Sequence, residues 1–390
     1  MQRFLKLAVI FFIGVSVETG ALAAPIIPSP PQLAAAGYLL VDADTGHVIV
    51  EHNSKQRLPP ASLTKIMTSY IASSVIKLGT LRLEEEVNIS EKAWRMEGSR
   101  MFIQEGTQVT VGDLLKGIII QSGNDASVAL AEHIAGAEDA FADVMNQQAQ
   151  VLGMSDSHFM NATGLPDENH YTTASDLAKL TKALIVDYPE HYKLYSEKYF
   201  TFNDIRQPNR NQLLWRDKSV DGVKTGHTDA AGYCLVASAE RDGMRLISVV
   251  MGTESEQARA TESQKLLTYG FRYYETIRLY EASTSLKTVK VWGGEESSVE
   301  LGLAEEVVIT VQRGAKDELE ASLDVQGVIE APLKIGQMIG KLRITAGEEV
   351  IAEVPLVALK AIEEAGFFMS MWDSIMLFFT QIFSGDPLEV

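Results

Sequence analysis

Near Leu286 the hydrophobic pattern changes period, and this limits what the chain can fold into more than any other feature. Before it, apolar residues recur at helical spacing over long segments interleaved with short β runs. After it only short β runs remain, at residues 289–292, 307–311, 319–325, 338–344 and 350–355, with glycines between them. A chain of 390 residues with such a break reads as two domains, a mixed one and a smaller all-β one. The expected boundaries are 24–285 and 286–357, with a leader at 1–23 and a terminal segment at 358–390.

Arg3 and Lys6 precede an eleven-residue apolar run at 7–17, too short to span a bilayer, and Ala21-Leu22-Ala23 follows as a small-residue cleavage site. This reads as a secretory signal peptide cut after Ala23, so the protein is expected to be exported. Cys234 is the single cysteine. No internal disulfide can form, and its place in a strand pattern predicts a buried, inert thiol. The net charge of −18 argues against nucleic acid and against a polybasic membrane contact.

Pro59-Pro60-Ala61-Ser62-Leu63-Thr64-Lys65 opens a helical pattern carried by Ile66, Met67, Tyr70, Ile71, Ser74 and Val75. The prolines fix the entry and place Ser62 in the first turn, where backbone N–H groups are free. Lys65, three residues on, shares its face. A serine hydroxyl becomes a nucleophile when a base takes its proton, and a lysine of lowered pKa is such a base. Ser74-Val75-Ile76-Lys77 repeats the spacing in mid-helix, away from any helix start, and reads as packing.

Further along, Thr110-Val111-Gly112-Asp113 reads as a capping box opening a helix that stops at Gln121-Ser122-Gly123-Asn124-Asp125, where another begins. Ser122 and Asn124 thus stand on a tight elbow between buried helices. Lys224-Thr225-Gly226 lies on a strand pattern followed by strands at 233–239 and 244–251 and a helix at about 258–277. On an edge strand a substrate peptide can pair with exposed backbone, Gly226 having no side chain in the way, while Lys224 and Thr225 offer a cation and a hydroxyl to a carboxylate. Asp44-Thr45-Gly46 is read as the turn of a hairpin joining 37–41 to 47–50, and residues 206–211 as a loop.

Ser62-x-x-Lys65, Ser122-Gly123-Asn124 sixty residues on, and Lys224-Thr225-Gly226 a further 102 on form the ordered triple of β-lactamases and penicillin-binding proteins. With residues 59–68, 121–126, 211–215 and 220–228, the chain resembles the penicillin-binding protein 5 and 6 type of low-molecular-mass D-alanyl-D-alanine carboxypeptidase from end to end. The resemblance implies an α/β (α+β) domain like that of serine β-lactamases, with a central antiparallel sheet flanked by helices. A small all-β domain and a C-terminal amphipathic helix would follow. It implies Ser62 as acylated nucleophile, Lys65 as its base, Ser122 and Lys224 as a proton relay, and Asn124 as a positioning group. The N–H groups of Ser62 and His227 would bind the oxyanion, and Thr225 and Arg259 the terminal carboxylate, with Gly226 beside them. The implied substrate is a peptidoglycan stem peptide ending in D-Ala-D-Ala, with β-lactams as inhibitors and no metal or cofactor. The residue 161–171 loop lies under the implied site, and its deacylating group stays unassigned.

Two other readings are a serine β-lactamase of the same fold and a non-catalytic penicillin sensor or envelope scaffold. One major β-lactamase class carries Glu-x-x-x-Asn before the Lys-Thr-Gly strand. Each of Glu132, Glu138, Glu168, Glu190 and Glu197 has another residue at the fourth position on. Residues 363–383 read as an amphipathic helix with Phe368, Trp372, Ile375, Phe379 and Ile382 on one stripe. Asp373 and the interrupted apolar run speak against a span, and a core helix of the β domain is an alternative. An in-plane anchor on the periplasmic face of the inner membrane fits best. Burying five or six such side chains at roughly 2 kcal/mol each suffices for attachment, although the helix lacks Lys and Arg.

Overall fold

The structure is a computed structural model and describes residues 27–325, 327–366, 372–373, 375–377 and 388. The expected signal peptide and most of the expected tail helix lie outside the described residues. A five-stranded antiparallel sheet carries the first domain, in the spatial order Val48–His52, Gly37–Asp42, Met244–Thr253, Gly232–Arg241, Val220–Thr228. Side chains alternate between its faces. Leu39, Val41, Val236, Ile247 and Val249 face a core shared with Ile66, Leu130 and Leu177 of three helices, Lys65–Lys77, Asn124–Ala135 and Ala174–Asp187. Leu40, Leu235, Leu246 and Val250 face the other way, against Leu266 and Leu267 of the helix Glu256–Tyr273.

Every residue from Lys65 to Ser73 is buried, so the Ser62 helix is enclosed on all sides and forms the centre of the domain. Its second Ser-x-x-Lys ends at the surface, where Lys77 Nζ donates to the Asp187 carbonyl at 3.0 Å. Cys234 is buried in the same core, and burial pushes its thiol up to about 11. Residues 206–211 are not simply a loop. Tyr199–Phe202 and Ile205–Pro208 pair as a hairpin, closed by Asn203 and Asp204 at φ +48° and +61°, the left-handed pair that a two-residue turn requires.

The expected seam at 285/286 falls one strand late. The long helix stops at Tyr273 rather than near Ile277, because Tyr274–Tyr280 pairs antiparallel with Val307–Gln312 and buries Ile277 against Leu303, Val307 and Ile309. A five-stranded sheet completes the second domain, in the order Ser285–Lys290, Ser298–Leu303, Glu349–Ala358, Met338–Ala346, Leu319–Val325. The expected end at 357 is also too early. Ile362 bridges Leu333 and is buried in the second domain's core, and Glu364 bridges Gly294. The helix expected from Glu363 therefore cannot begin there. Helical backbone is found at 372–373 and 375–377, where Asp373 Oδ2 accepts from the Gly293 N–H at 3.0 Å. Among the described residues no helix is long and apolar enough to cross a membrane.

The Asp42-to-Gly46 turn, with Gly46 at φ +75°, is where the domains meet. Asp42 is fully buried, and its Oδ1 accepts from the N–H groups of Asp44 and Thr45 at 2.8 and 3.3 Å. Its Oδ2 accepts from Thr276 Oγ1 at 2.5 Å and Thr310 Oγ1 at 2.8 Å, both in the second domain.

Candidate active site

Ala61–Thr64 forms a 3-10 turn before the α-helix starts at Lys65. In that tighter turn residues i and i+3 eclipse, so Ser62 and Lys65 stand over one another. Ala61 takes φ +48°, and Gly164 of the 161–171 loop lies directly beneath it. A β-carbon at Gly164 would fall 1.8 Å from the Ala61 carbonyl oxygen. That loop thus sets the height of the Ser62 turn through a contact only glycine allows.

Lys65 is buried, and its Nζ lies 3.0 Å from Ser62 Oγ, 2.7 Å from Asn124 Oδ1 and 2.6 Å from the Thr163 carbonyl oxygen. Burial first, and then the charge of Arg210, lower its pKa to about 7. In the neutral amine, Asn124 and Thr163 accept the two N–H bonds and the lone pair is left facing the Ser62 hydroxyl. Asn124 is itself fixed, its Nδ2 donating to the Glu97 carbonyl at 2.6 Å.

Ser122 follows a π-helical turn, Gly117–Gln121, and sits at φ +67°. Bulged turns of this kind and left-handed non-glycine residues concentrate at functional sites. From this elbow Ser122 Oγ accepts from Lys224 Nζ at 2.8 Å, and Lys224 also donates to the Thr225 carbonyl at 2.9 Å. Burial, with the Lys65 charge next, holds Lys224 well below the ordinary lysine range. The site therefore contains two Ser–Lys pairs, with the charge of Lys65 opposing charge on Lys224.

Lys224, Thr225 and Gly226 lie on Val220–Thr228, an edge strand paired on one side only. The reason for glycine at 226 differs from the expected open approach. A β-carbon there would meet the Pro60 carbonyl at 3.1 Å, Ala61 Cβ at 3.2 Å and Leu63 Cγ at 3.3 Å, so Gly226 lets the Ser62 turn pack against the strand. Arg259 is buried and donates from Nη1 to the Gly226 carbonyl at 3.2 Å. His227 is exposed and stacks on Tyr233, ring centres 3.9 Å apart. A cleft of about 430 Å³ joins these parts, lined by Ser62, Ser122, Asn124, Thr225, Gly226, His227 and Arg259, with Lys65 and Lys224 behind them.

Three contributors escape sequence reasoning. The Thr163 carbonyl carries no side-chain signature. Arg210 lines the same cleft from just beyond the unexpected hairpin. Asp125, in the first turn of its helix and fully buried, accepts from the N–H groups of Met101, Phe102 and Ile103 at 3.0, 2.9 and 3.3 Å. It thereby pins the loop whose Gly98 and Ser99 also line the cleft. Its place directly after Ser122-Gly123-Asn124 was the available signal.

Two Ser–Lys pairs facing one cleft beside a free strand edge are the equipment of a serine acyl-transfer enzyme of the kind DD-peptidases and serine β-lactamases share. Comparison with known proteins separates those two. Residues 24–255 match the D-alanyl-D-alanine carboxypeptidase family (Peptidase_S11), and residues 274–364 match the penicillin-binding protein 5 C-terminal domain. The chain is 44% identical over 371 residues to the D-alanyl-D-alanine carboxypeptidase DacC of Escherichia coli K12, covering 93% of each. It is 44% identical to DacA of Haemophilus influenzae over 363 residues, 91% of this chain and 92% of that one. The crystal structure of penicillin-binding protein 5 from Haemophilus influenzae superposes with a TM-score of 0.84 at 43% identity, covering 86% of this chain and all of that one. The chain belongs to the D-alanyl-D-alanine carboxypeptidase family, and the expected fold class, a helix-flanked antiparallel sheet followed by an all-β domain, is the observed one.

Proposed function

We propose that the protein removes the terminal D-alanine from peptidoglycan stem peptides through an acyl-enzyme on Ser62. The observation that carries this is the Lys65 amine, 3.0 Å from Ser62 Oγ and with its pKa lowered to about 7. Lys65 takes the hydroxyl proton as Ser62 Oγ attacks the carbonyl between the last two D-alanines. The N–H groups of Ser62 and His227 bind the oxyanion. Ser122, bonded to Lys224, hands its proton to the leaving amine and is reprotonated from Lys65, so D-alanine departs and Lys65 is a neutral base again. Water then attacks the ester, its proton passing to Lys65, and Ser62 regains its hydrogen. Asn124 holds Lys65 in place. Thr225 and Arg259 bind the terminal carboxylate, and the substrate backbone pairs along the edge strand beside Gly226. A β-lactam opens on Ser62 in the same way and blocks the site as a stable ester.

The reading extends to location. The leader at 1–23 supports export, and the aromatic stripe of the tail supports attachment to the outer face of the cytoplasmic membrane.

The test is D-alanine release from a stem peptide ending in D-Ala-D-Ala, with wild type and Ser62→Ala run side by side. Release by wild type alone is expected. A folded wild type that is acylated by penicillin but releases no D-alanine would move the reading to a sensor. Fast penicillin hydrolysis without D-alanine release would move it to a β-lactamase.

A further inference from the structure

Lys224 reaches Ser122 because its strand carries one residue more than its neighbour. Val220 pairs with Ala239 and Gly222 with Ser238, so Asp221 is left over and the ladder is bulged there. Past the bulge Lys224 stands opposite Val236. Partners across an antiparallel pair share a face of the sheet. Val236 packs in the core around the Ser62 helix, and Lys224 points to that side, where it meets Ser122. Continued from the Val220–Ala239 pair without the extra residue, the strand would bring Lys224 opposite Leu235, which packs on the far side with Leu266. A slip of one residue turns every side chain of a strand to its other face. Here it would part the second Ser–Lys pair.

The strand lies at the sheet edge, so a single neighbour sets its register among the described residues. Side chains converge on the bulge from outside that pair. Asn211 is buried and donates from Nδ2 to the Gly222 carbonyl at 2.8 Å. It is itself fixed, since its Oδ1 accepts from the Leu213 N–H at 3.1 Å and its own N–H donates to Asn209 Oδ1 at 3.0 Å. Tyr192 is buried and donates to Asp221 Oδ1 at 2.8 Å. Its hydroxyl rests on the bulged backbone, because a β-carbon at Gly222 would fall 2.5 Å from it. Arg245 donates from Nη1 to Asp221 Oδ2 at 2.8 Å and to Ser238 Oγ at 2.9 Å, tying the extra residue to the neighbouring strand. Bulges occur beside active sites, where they re-aim a side chain, and a satisfied buried polar network fixes one arrangement. Asn211, Tyr192, Asp221 and Arg245 do not line the cleft.

We propose that Asn211 and Tyr192 are positioning residues for the acyl transfer, which lock the bulge at Asp221 and so keep Lys224 on the Ser122 side of the edge strand. They do not touch substrate. Their effect passes through Lys224 to Ser122, the proton donor to the leaving amine. The inference rests on the Ser62 reading.

The test places Asn211→Ala and Tyr192→Phe each in the wild-type chain and in Lys224→Ala. The second-order rate constant for benzylpenicillin acylation is measured at pH 9. Lys65 is then almost wholly the free base, so a shift of Arg210 beside Asn211 does not change its protonation. Asn211→Ala should lower the rate about a hundredfold, as expected for a reacting group displaced by about 1 Å. Tyr192→Phe, which removes one hydrogen bond, should lower it about fivefold. In Lys224→Ala either substitution should change the rate less than about twofold, because the lysine it positions is gone. A wild-type rate in either single variant would overturn the lock. So would losses that multiply with that of Lys224→Ala, which would make the two residues supports of the fold at large. Should Asn211→Ala not fold, Tyr192→Phe keeps the ring, deletes one oxygen and decides by the same cycle. Normal acylation of wild type with multiplying losses overturns the lock alone, and a folded wild type that is not acylated overturns the Ser62 assignment and the lock with it.

Discussion

The acylation rate should follow the protonation of one buried amine. Only neutral Lys65 can accept the Ser62 proton, so the second-order rate constant for penicillin acylation must rise with pH through the lysine pKa of about 7. The free-base fraction is about 1% at pH 5, 9% at pH 6 and 91% at pH 8. The rate should therefore fall tenfold per unit below pH 6, each unit adding about 1.4 kcal/mol to the barrier. His170 cannot supply this inflection, since burial pushes its imidazole down to about 4. His227 is controlled by His227→Gln, in which the inflection should persist. Arg210→Gln should move it upward, because the guanidinium favours the neutral amine. Stability carries the same signature. Lys65 falls from an ordinary 10.5 to about 7, so between those values the unfolded chain binds the extra proton and stability rises with pH. Below about 7 both states are protonated and this slope vanishes, with the full burial cost of roughly 5 kcal/mol in force. The assay is stopped-flow acylation by a fluorescent penicillin from pH 5 to 9. A flat profile, or an inflection lost in His227→Gln, would refute Lys65 as the base.

Gly164→Ala should cut acylation roughly a hundredfold and cost about 1–3 kcal/mol in denaturant melts, because its β-carbon collides with the Ala61 carbonyl in the Ser62 turn; near-normal acylation would mean that the loop does not set the height of Ser62. Asp42→Ala removes the acceptor shared by Thr276, Thr310 and two N–H groups at the domain junction, leaving Thr310 its bond to Thr45 Oγ1, and a loss of about 2–4 kcal/mol with faster proteolysis between the domains is expected; unchanged cleavage would refute the junction as a stabilising contact. Ser74→Ala should leave penicillin labelling within about twofold, as expected of a substitution remote from the cleft, and a loss like that of Ser62→Ala would reverse the choice between the two Ser-x-x-Lys motifs. A chain ending at Gly366 keeps the bridged residues Ile362 and Glu364. It should be acylated like wild type and fail to sediment with phospholipid vesicles; sedimentation would rule out the tail as anchor.

Sequence alone determined the order of the parts. Proline before a helix, polar residues at an elbow and a glycine on a strand are local signals, and they named Ser62, Lys65, Ser122, Asn124 and Lys224, all of which the fold brings to one cleft. The change of period near Leu286 gave two domains, but its placement was a strand late, because Tyr274–Tyr280 continues directly from a helix and only its partner Val307–Gln312 makes it a strand. Tertiary structure alone decided the rest. Lys65 is an ordinary lysine in sequence, and its lowered pKa exists because helix, sheet and loop exclude water around it. The Thr163 carbonyl and Gly164 act through backbone positions that no residue type announces. Gly226 looked like an opening for substrate and is the contact that lets the Ser62 turn close on the edge strand. Chemistry that depends on residue type is legible along the chain, whereas burial, close approach and charge proximity are properties of distance and arise only when the chain folds.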